Sequence, residues 1–423
     1  MIKPELLMPA GNLEKLEYAI KYGADAVYLG VVDFSLRSMR KGDIITFDNL
    51  KHAVDLAHSL GARAYLTLNV FAFNNDIEKL EESMPIIKEA NPDAIILSDF
   101  GVFRTVREHM PNMPIHISTQ ANSLNWQTVK FWQDNGAKRV ILARELPIAD
   151  VKKIREKVPD IELEVFVHGS QCVSFSGRCL LSDYMTNNER KANSGNCSQP
   201  CRWKYKLVEE TRPGQFYEIN QTERGSHILS PKDLCLVEHL QKLIDAGINS
   251  FKVEGRTKSL YYVSSVAKAY RMAIDEVLAN PKADLHKYFE ELKKVGNRGF
   301  TQGFYLGDNN EDSYSYDVSK GLAGADFLFE FWDKTEDAYK VKIKNKIHIN
   351  DEIEIITPDE QFLTKVIEIK NKDGENMELA NTNDEPLLKF SKNPQNYQYA
   401  MARTLGIVCI NKKQSKPPQE QNK

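Results

Sequence analysis

The chain lacks any run of 18 apolar residues, so nothing in it reads as a membrane-spanning helix. Its opening stretch, MIKPELLMPAG, has one Lys and no apolar core of signal-peptide length before Pro9 and Gly11, so the usual mark of export is missing too. Charge of one sign is also in short supply: 56 Lys and Arg against 59 Asp and Glu leave −3 over 423 residues. That total argues against bulk attraction to nucleic acid, although local patches escape it. Cysteines number only six. In a chain without export signals, thiols serve as ligands or catalysts more often than as disulfides, so the expected compartment is the cytoplasm, with no membrane partner. There is no H-E-x-x-H helix, G-x-S-x-G elbow, P-loop or G-x-G-x-x-G turn, and four common chemistries lose their sequence support.

What is present is alternation. Short apolar β-type runs are each followed by an amphipathic helical pattern: ELLMPAG then NLEKLEYAIKYG, ADAVYLG then DNLKHAVDLAHSLG, RAYLTLN then DIEKLEESMPIIKEA. DAIILSD, IHIST, RVILAR, LEVFVHG and SFKVEGR continue the series to eight. Regular βα alternation implies a parallel sheet covered by helices, and eight units suit a closed barrel better than an open sheet. The reading is α/β: a (β/α)8 TIM-type barrel over residues 1–280, with a Cys-rich insertion at about 170–230 after the seventh strand. From Asp326 the pattern turns to period two, in FLFEFWD, AYKVKIKN and DEIEIITPDEQ. This predicts a small antiparallel β domain over 326–410, joined through a connecting segment at 281–325 and followed by a disordered tail at 411–423.

In such a barrel the C-terminal strand ends and the loops after them build the active site. That rule selects Asn69, Asp99, Ser118, Thr119, Gln120, Arg144, Glu145, His168, Glu254 and Arg256, with Arg37 near the second strand end as a further candidate. Any one of them could instead cap a loop or helix, but together they predict a polar, titratable mouth.

Five cysteines fall within the 64 residues from Cys172 to Cys235, spaced C-x6-C-x17-C-x3-C-x33-C. An insertion at a barrel mouth cannot bury a core of its own, so a metal that cross-links it would contribute directly to its folding. Zinc sites favour close pairs, and only Cys197 with Cys201 makes one, whereas a four-thiolate iron–sulfur cluster tolerates wide spacing. Cluster, zinc and free thiols all remain open on spacing alone. Cys172 with His168 as base would make a thiol hydrolase, if the two face each other. The same insertion carries Arg178, Arg190, Lys191, Arg202, Lys204 and Lys206 against Asp183 and Glu189, a local +4 in an acidic chain. With Tyr184, Trp203 and Tyr205 interleaved, this stretch could track phosphates and stack a base, or it could be a solvated face.

Read together, ELLMPAGNLEKLEYAIKYGADAVYLG, STQANSLN, EVFVHGSQCVSFSGRCLLSDYM, CSQPCRWKY and FKVEGRTKS resemble the collagenase-like peptidase family, the U-thirty-two group. The compact form with a C-terminal β domain is similar to a branch that hydroxylates tRNA. The resemblance implies a tRNA-modifying enzyme that converts wobble uridine to 5-hydroxyuridine, with prephenate as a small dicarboxylate co-substrate and a 4Fe-4S cluster at the mouth. It implies thiolates at Cys172, Cys179, Cys197 and Cys235, with Cys201 as the alternative fourth ligand. From their position at the strand ends, Arg144 and Arg256 are expected to pair with the carboxylates of the small acid, with Arg37, Asn69 and Gln120 as further substrate-binding candidates. His168 is the candidate proton carrier, and Glu145 or Glu254 would orient it or bind a base edge. Arg190, Lys191, Arg202, Trp203 and Lys204 meet the RNA. The rivals are a peptidase of the same family, with zinc or Cys172 at its centre, and an RNA-binding scaffold whose cluster is structural. Any electron-transfer partner is unspecified.

Overall fold

The computed structural model describes residues 3–32, 34–35, 44–172, 174–175, 179–187, 189–190, 192, 196–205, 221–222, 225–227, 231–307, 313 and 322–406. The tail expected at 411–423 lies outside them. The chain divides into two compact units, residues 1–292 with 297–322, and residues 293–296 with 323–423.

In the first unit the eight apolar runs form parallel strands: β1 (Glu5–Pro9), β2 (Ala26–Gly30), β3 (Arg63–Leu68), β4 (Ala94–Leu97), β5 (Ile115–Ile117), β6 (Arg139–Ile141), β7 (Glu162–Gly169) and β8 (Ser250–Val253). They pair in sequence order, and β8 closes the barrel against both β7 and β1. Outside them run α1 (Leu13–Lys21), α2 (Phe47–Ser59), α3 (Asn74–Ala90), α4 (Phe100–His109), α5 (Trp126–Asp134), α6 (Ile148–Lys157), α7 (Leu240–Asp245) and α8 (Leu260–Ala279). The starts of these helices follow from local chemistry. Asn12 accepts from the Lys15 N–H at 2.9 Å to open α1, and Asp99 accepts from Gly101 and Val102 to open α4. Asp99 is therefore a helix cap, the bland member of the strand-end series.

The barrel interior is ionic rather than purely apolar. Glu164, fully buried, accepts from Arg139 Nη1 at 2.9 Å and Lys252 Nζ at 3.0 Å. Arg139 also reaches Glu5 at 2.6 Å, and Tyr65 donates to the same carboxylate at 2.7 Å. Burying charges in this way is tolerable only because each finds a partner.

A β-bulge interrupts the last pairing. Lys252 lies opposite Phe166, but Val253 lies opposite His168, so Val167 is the extra residue in β7. Because strand side chains alternate faces, one extra residue turns those beyond it to the other side. After β7 the insertion begins, and a short strand at Asp233–Cys235 runs back antiparallel to the end of β7.

The second unit is a closed six-stranded antiparallel barrel of β9 (Phe327–Lys334), β10 (Tyr339–Ile343), β11 (Glu352–Ile356), β12 (Gln361–Lys370), β13 (Leu387–Phe390) and β14 (Met401–Thr404), in the order β9-β10-β13-β12-β11-β14. Alternate residues such as Phe329, Phe331, Val341, Ile343, Ile353, Ile355 and Leu388 fill it. Among the described residues no helix is long and apolar enough to cross a membrane.

Candidate functional site

The C-terminal mouth of the first barrel holds a cavity of about 90 Å³, lined by Tyr28, Thr67, Asn69, Gln120, Arg144, Phe166, Lys252, Glu254 and Arg256 among others. Seven of the strand-end candidates, Asn69, Ser118, Thr119, Gln120, Arg144, Glu254 and Arg256, thus share one hollow. Arg256, only 4% exposed, is anchored by an Nη1 hydrogen bond of 2.9 Å to Thr67 Oγ1, which in turn lies 2.9 Å from Ser35 Oγ. Room for the guanidinium is made by Gly30: a Cβ there would fall 1.7 Å from Arg256 Nη1. Arg144 packs its guanidinium 3.8 Å from the centre of the Phe166 ring and donates to the Ser170 carbonyl at 2.8 Å. It is thereby tied both to the barrel wall and to the root of the insertion.

Lys252 was not among the sequence candidates, yet it lines the same cavity, with Nζ 4.6 Å from the Tyr28 ring centre. Burial lowers its pKa, and the Glu164 carboxylate works in the opposite direction. A lysine at an inward position of the apolar run SFKVEGR was the signal that could have found it. Three cations facing one lining carboxylate, Glu254, suit an anionic ligand.

Two of the catalytic candidates, His168 and Glu145, do not line the cavity. Past the bulge, the His168 ring turns into the layer between barrel and helix, among Tyr262, Tyr270 and Phe300 at centroid distances of 5.9, 5.5 and 5.4 Å. Burial, with Lys258 nearby, pushes its pKa down to about 3. A ring so placed meets Tyr270 at 3.4 Å and stands outside the lining of the cavity. Glu145 is half-buried, near Arg144 and Tyr305. Arg37 and Lys191 lie outside the described residues.

In the insertion, backbone amides two residues on donate to two sulfurs: Leu181 N to Cys179 Sγ and Gln199 N to Cys197 Sγ, each at 3.3 Å. Cys172 Sγ lies 3.0 Å from Ser174 Oγ. Burial raises the Cys201 thiol, Arg202 draws it back, and the thiols of Cys172, Cys197 and Cys179 add to the rise, so the four share one electrostatic neighbourhood. Cys235 sits elsewhere in kind: it is 5% exposed, 3.9 Å from the Tyr270 hydroxyl, and burial pushes its thiol up to about 12. Among the described residues no group of three or more His, Cys, Asp or Glu is arranged to hold a single metal ion. The five described cysteines form no disulfide.

Of the basic candidates, Arg190 is exposed and reaches the Cys197 carbonyl at 3.3 Å, while Arg202 donates to the Gln171 carbonyl at 3.1 Å. Trp203 is 39% exposed, and Lys204 opens a two-residue strand paired with Ser226–His227.

A parallel eight-stranded barrel with a cation-rich mouth, bordered by a thiol-bearing insertion, is the architecture of a barrel protein that takes its ligand at the C-terminal face. The sequence comparisons narrow the class. The profile of Peptidase family U32 matches residues 11–315, that of the Peptidase family U32 C-terminal domain matches residues 325–403, and the chain belongs to this family. It is 37% identical to tRNA hydroxylation protein P of Escherichia coli (strain K12), over 90% of this chain and 92% of that one. It is likewise 37% identical to tRNA hydroxylation protein P1 of Bacillus subtilis (strain 168), over 95% and 94%. To a protein named collagenase, from Porphyromonas gingivalis (strain ATCC BAA-308 / W83), the identity is 31%, over 86% and 89%.

Proposed function

We propose that this chain is a tRNA-modifying enzyme that hydroxylates a wobble uridine to 5-hydroxyuridine at the mouth of its first barrel. The observation that carries the reading is near-full-length likeness, at 37% identity, to proteins named for tRNA hydroxylation in two distant bacteria. The cation-rich cavity supports the second substrate: Arg144 and Arg256, with Lys252 between rings of Tyr28 and Phe166, suit a small dicarboxylate such as prephenate. Glu254 is the carboxylate in position to orient a donor group of the ligand.

The donor set fits an iron–sulfur cluster better than a single ion. Sulfurs that share a neighbourhood without gripping one metal, two of them accepting amide hydrogen bonds, are the chemistry that a 4Fe-4S group needs. Cys172, Cys179 and Cys197 would hold it. Cys201, in their neighbourhood, would complete the four, with Cys235, turned to Tyr270, as the alternative. When bound, such a group supplies one-electron chemistry and cross-links the insertion. Zinc would ask for a tighter set. Free thiols and a redox cofactor both suit a reducing compartment, the cytoplasm.

The peptidase reading draws on the collagenase relative. Its simplest form, Cys172 activated by His168, meets a His168 that turns to Tyr270 and a Cys172 that turns to Ser174. Nucleoside analysis of bulk tRNA from a deletion strain tests the main reading: 5-hydroxyuridine and its derivatives should vanish and return with the intact gene. Persistence of the modified nucleoside, with gelatin digestion by the purified chain, would install the peptidase. Modification restored by an Arg144→Glu, Arg256→Glu chain would favour the scaffold.

A further inference from the structure

The C-terminal barrel is acidic as a whole, with sixteen Asp and Glu against eleven Lys and Arg over residues 323–406. Yet no acidic residue occurs between Asp337 and Asp351, and that interval holds Lys340, Lys342, Lys344 and Lys346. Within β10, Val341 and Ile343 are at most 1% exposed and face the core, so Lys340 and Lys342 fall on the outer face, about 6.6 Å apart. The strand ends at Ile343, and Lys344 and Lys346 follow in the bend before the buried Ile347. Lys342 and Lys346 are exposed, and Lys344 is held by Glu330 at 2.9 Å. Glu330 and Asp333 stand opposite Lys342 and Lys340 in the neighbouring strand, and the backbone of Asp384 runs along the other edge.

Beside this row stands an aromatic ring that the fold has turned outward. The register between β9 and β10 slips between Phe331 and Asp333, leaving Trp332 as the extra residue of a bulge. Phe331 stays in the core at 5% exposure, while Trp332 is 63% exposed. Lys340 Nζ lies 5.3 Å from the Trp332 ring centre. A row of spaced cations with an exposed ring at its side is the combination that follows a nucleic-acid backbone and stacks a base.

We propose that the Lys340–Lys346 row and Trp332 form a second RNA-contact surface, which grips tRNA outside the reacting nucleotide. This rests on the tRNA reading above and extends it to the second unit. Lys342 and Lys346 meet phosphates, and Trp332 stacks on an unpaired base.

Binding of unmodified tRNA to the full chain, followed by fluorescence anisotropy across a KCl series, tests this. Lys342→Glu with Lys346→Glu should flatten the log–log salt slope by about 1.4, two contacts at roughly 0.7 each. Trp332→Ala should weaken binding about 5- to 150-fold with little change of slope. Lys342→Arg with Lys346→Arg should keep the slope, and circular dichroism should report the native fold throughout. If the native chain binds tRNA while the Glu and Ala variants, folded, match it in slope and affinity, the surface is not an RNA site. Unchanged tRNA binding with lost capture of an acidic peptide would make it a protein-facing surface and overturn the proposal. Failure of the native chain to bind tRNA would instead strike the tRNA reading itself.

Discussion

The barrel mouth and the insertion beside it are both polar, but they are organised by different means. At the mouth each charged group is seated by burial and by partners from distant strands: Arg256 on Thr67, Arg144 on Phe166, Lys252 on Glu164. In the insertion, Cys172 and Cys197 are exposed, and the nearest bonds to sulfur are local ones from residues two positions on. A wall that excludes water can hold a side chain through packing. Among the described residues of the insertion few apolar side chains are buried, which is why a bound cross-linking group would matter there and not at the mouth.

The contrast is broken most severely by removing a thiol. Cys172→Ser, Cys179→Ser, Cys197→Ser and Cys201→Ser should each reduce iron in anaerobically purified protein to background and open residues 170–205 to protease, leaving the barrel melting transition in place. Cys235→Ser should keep its iron. The opposite result for the last two would return the fourth position to Cys235.

Glu164→Leu attacks the other side of the comparison. It leaves Lys252 without its carboxylate while Arg139 keeps Glu5 and Glu162, and loss of one partner of a buried pair costs about 3 to 5 kcal/mol. Urea denaturation should show that loss in the barrel transition with iron content unchanged. Glu164→Gln, which keeps the shape and accepts from one partner, should cost less.

A smaller and more specific effect is expected at the cavity. Gly30→Ala places a methyl where Arg256 Nη1 now lies, and Arg144→Lys removes the planar fork that a carboxylate engages. A charged hydrogen bond is worth roughly 1.5 to 3 kcal/mol, so each should cost on the order of 10- to 150-fold in use of the small acid, with tRNA binding intact. Hydroxylated uridine measured with the precursor scarce and in excess separates the two; equal modification under both conditions would remove these arginines from the acid site.

The gentlest test is pH. His168 has a folded value near 3 against an ordinary 6.5, so below pH 6.5 the unfolded chain takes a proton that the folded chain refuses, and stability falls as pH drops. By pH 5 this amounts to about 2 kcal/mol from His168. His116, buried beside Arg139, adds a loss of the same sign. His168→Gln should flatten the urea midpoint between pH 7 and 5 by the His168 share, and an unchanged pH slope would mean that the ring is not sealed among its aromatic neighbours.

Much of the architecture was legible because it rests on local patterns. Apolar runs such as DAIILSD and RVILAR, separated by amphipathic helices, admit few arrangements other than a closed parallel barrel. The change to period two after Asp326 marked the second barrel equally well. Asn69, Gln120, Arg144, Glu254 and Arg256 could be placed at the mouth because a strand end is a position in sequence as well as in space. Lys252 escaped because it stands one step inside the strand, where a charge is acceptable only if a partner such as Glu164 waits across the barrel. Nothing near Lys252 in sequence announces that partner, which lies 88 residues earlier.

The class of fold, the position of the thiol-bearing insertion and the strand ends that carry polar groups all follow from periodicity and order along the chain. Which of those groups meet was decided only in three dimensions. One extra residue, Val167, sends His168 from the mouth into the aromatic layer while Phe166, two positions before it, stays to seat Arg144. Likewise Cys235 turns to Tyr270 while Cys201 joins the other thiols. Period and spacing cannot report such choices, because a bulge is a mismatch between two strands and belongs to neither sequence alone.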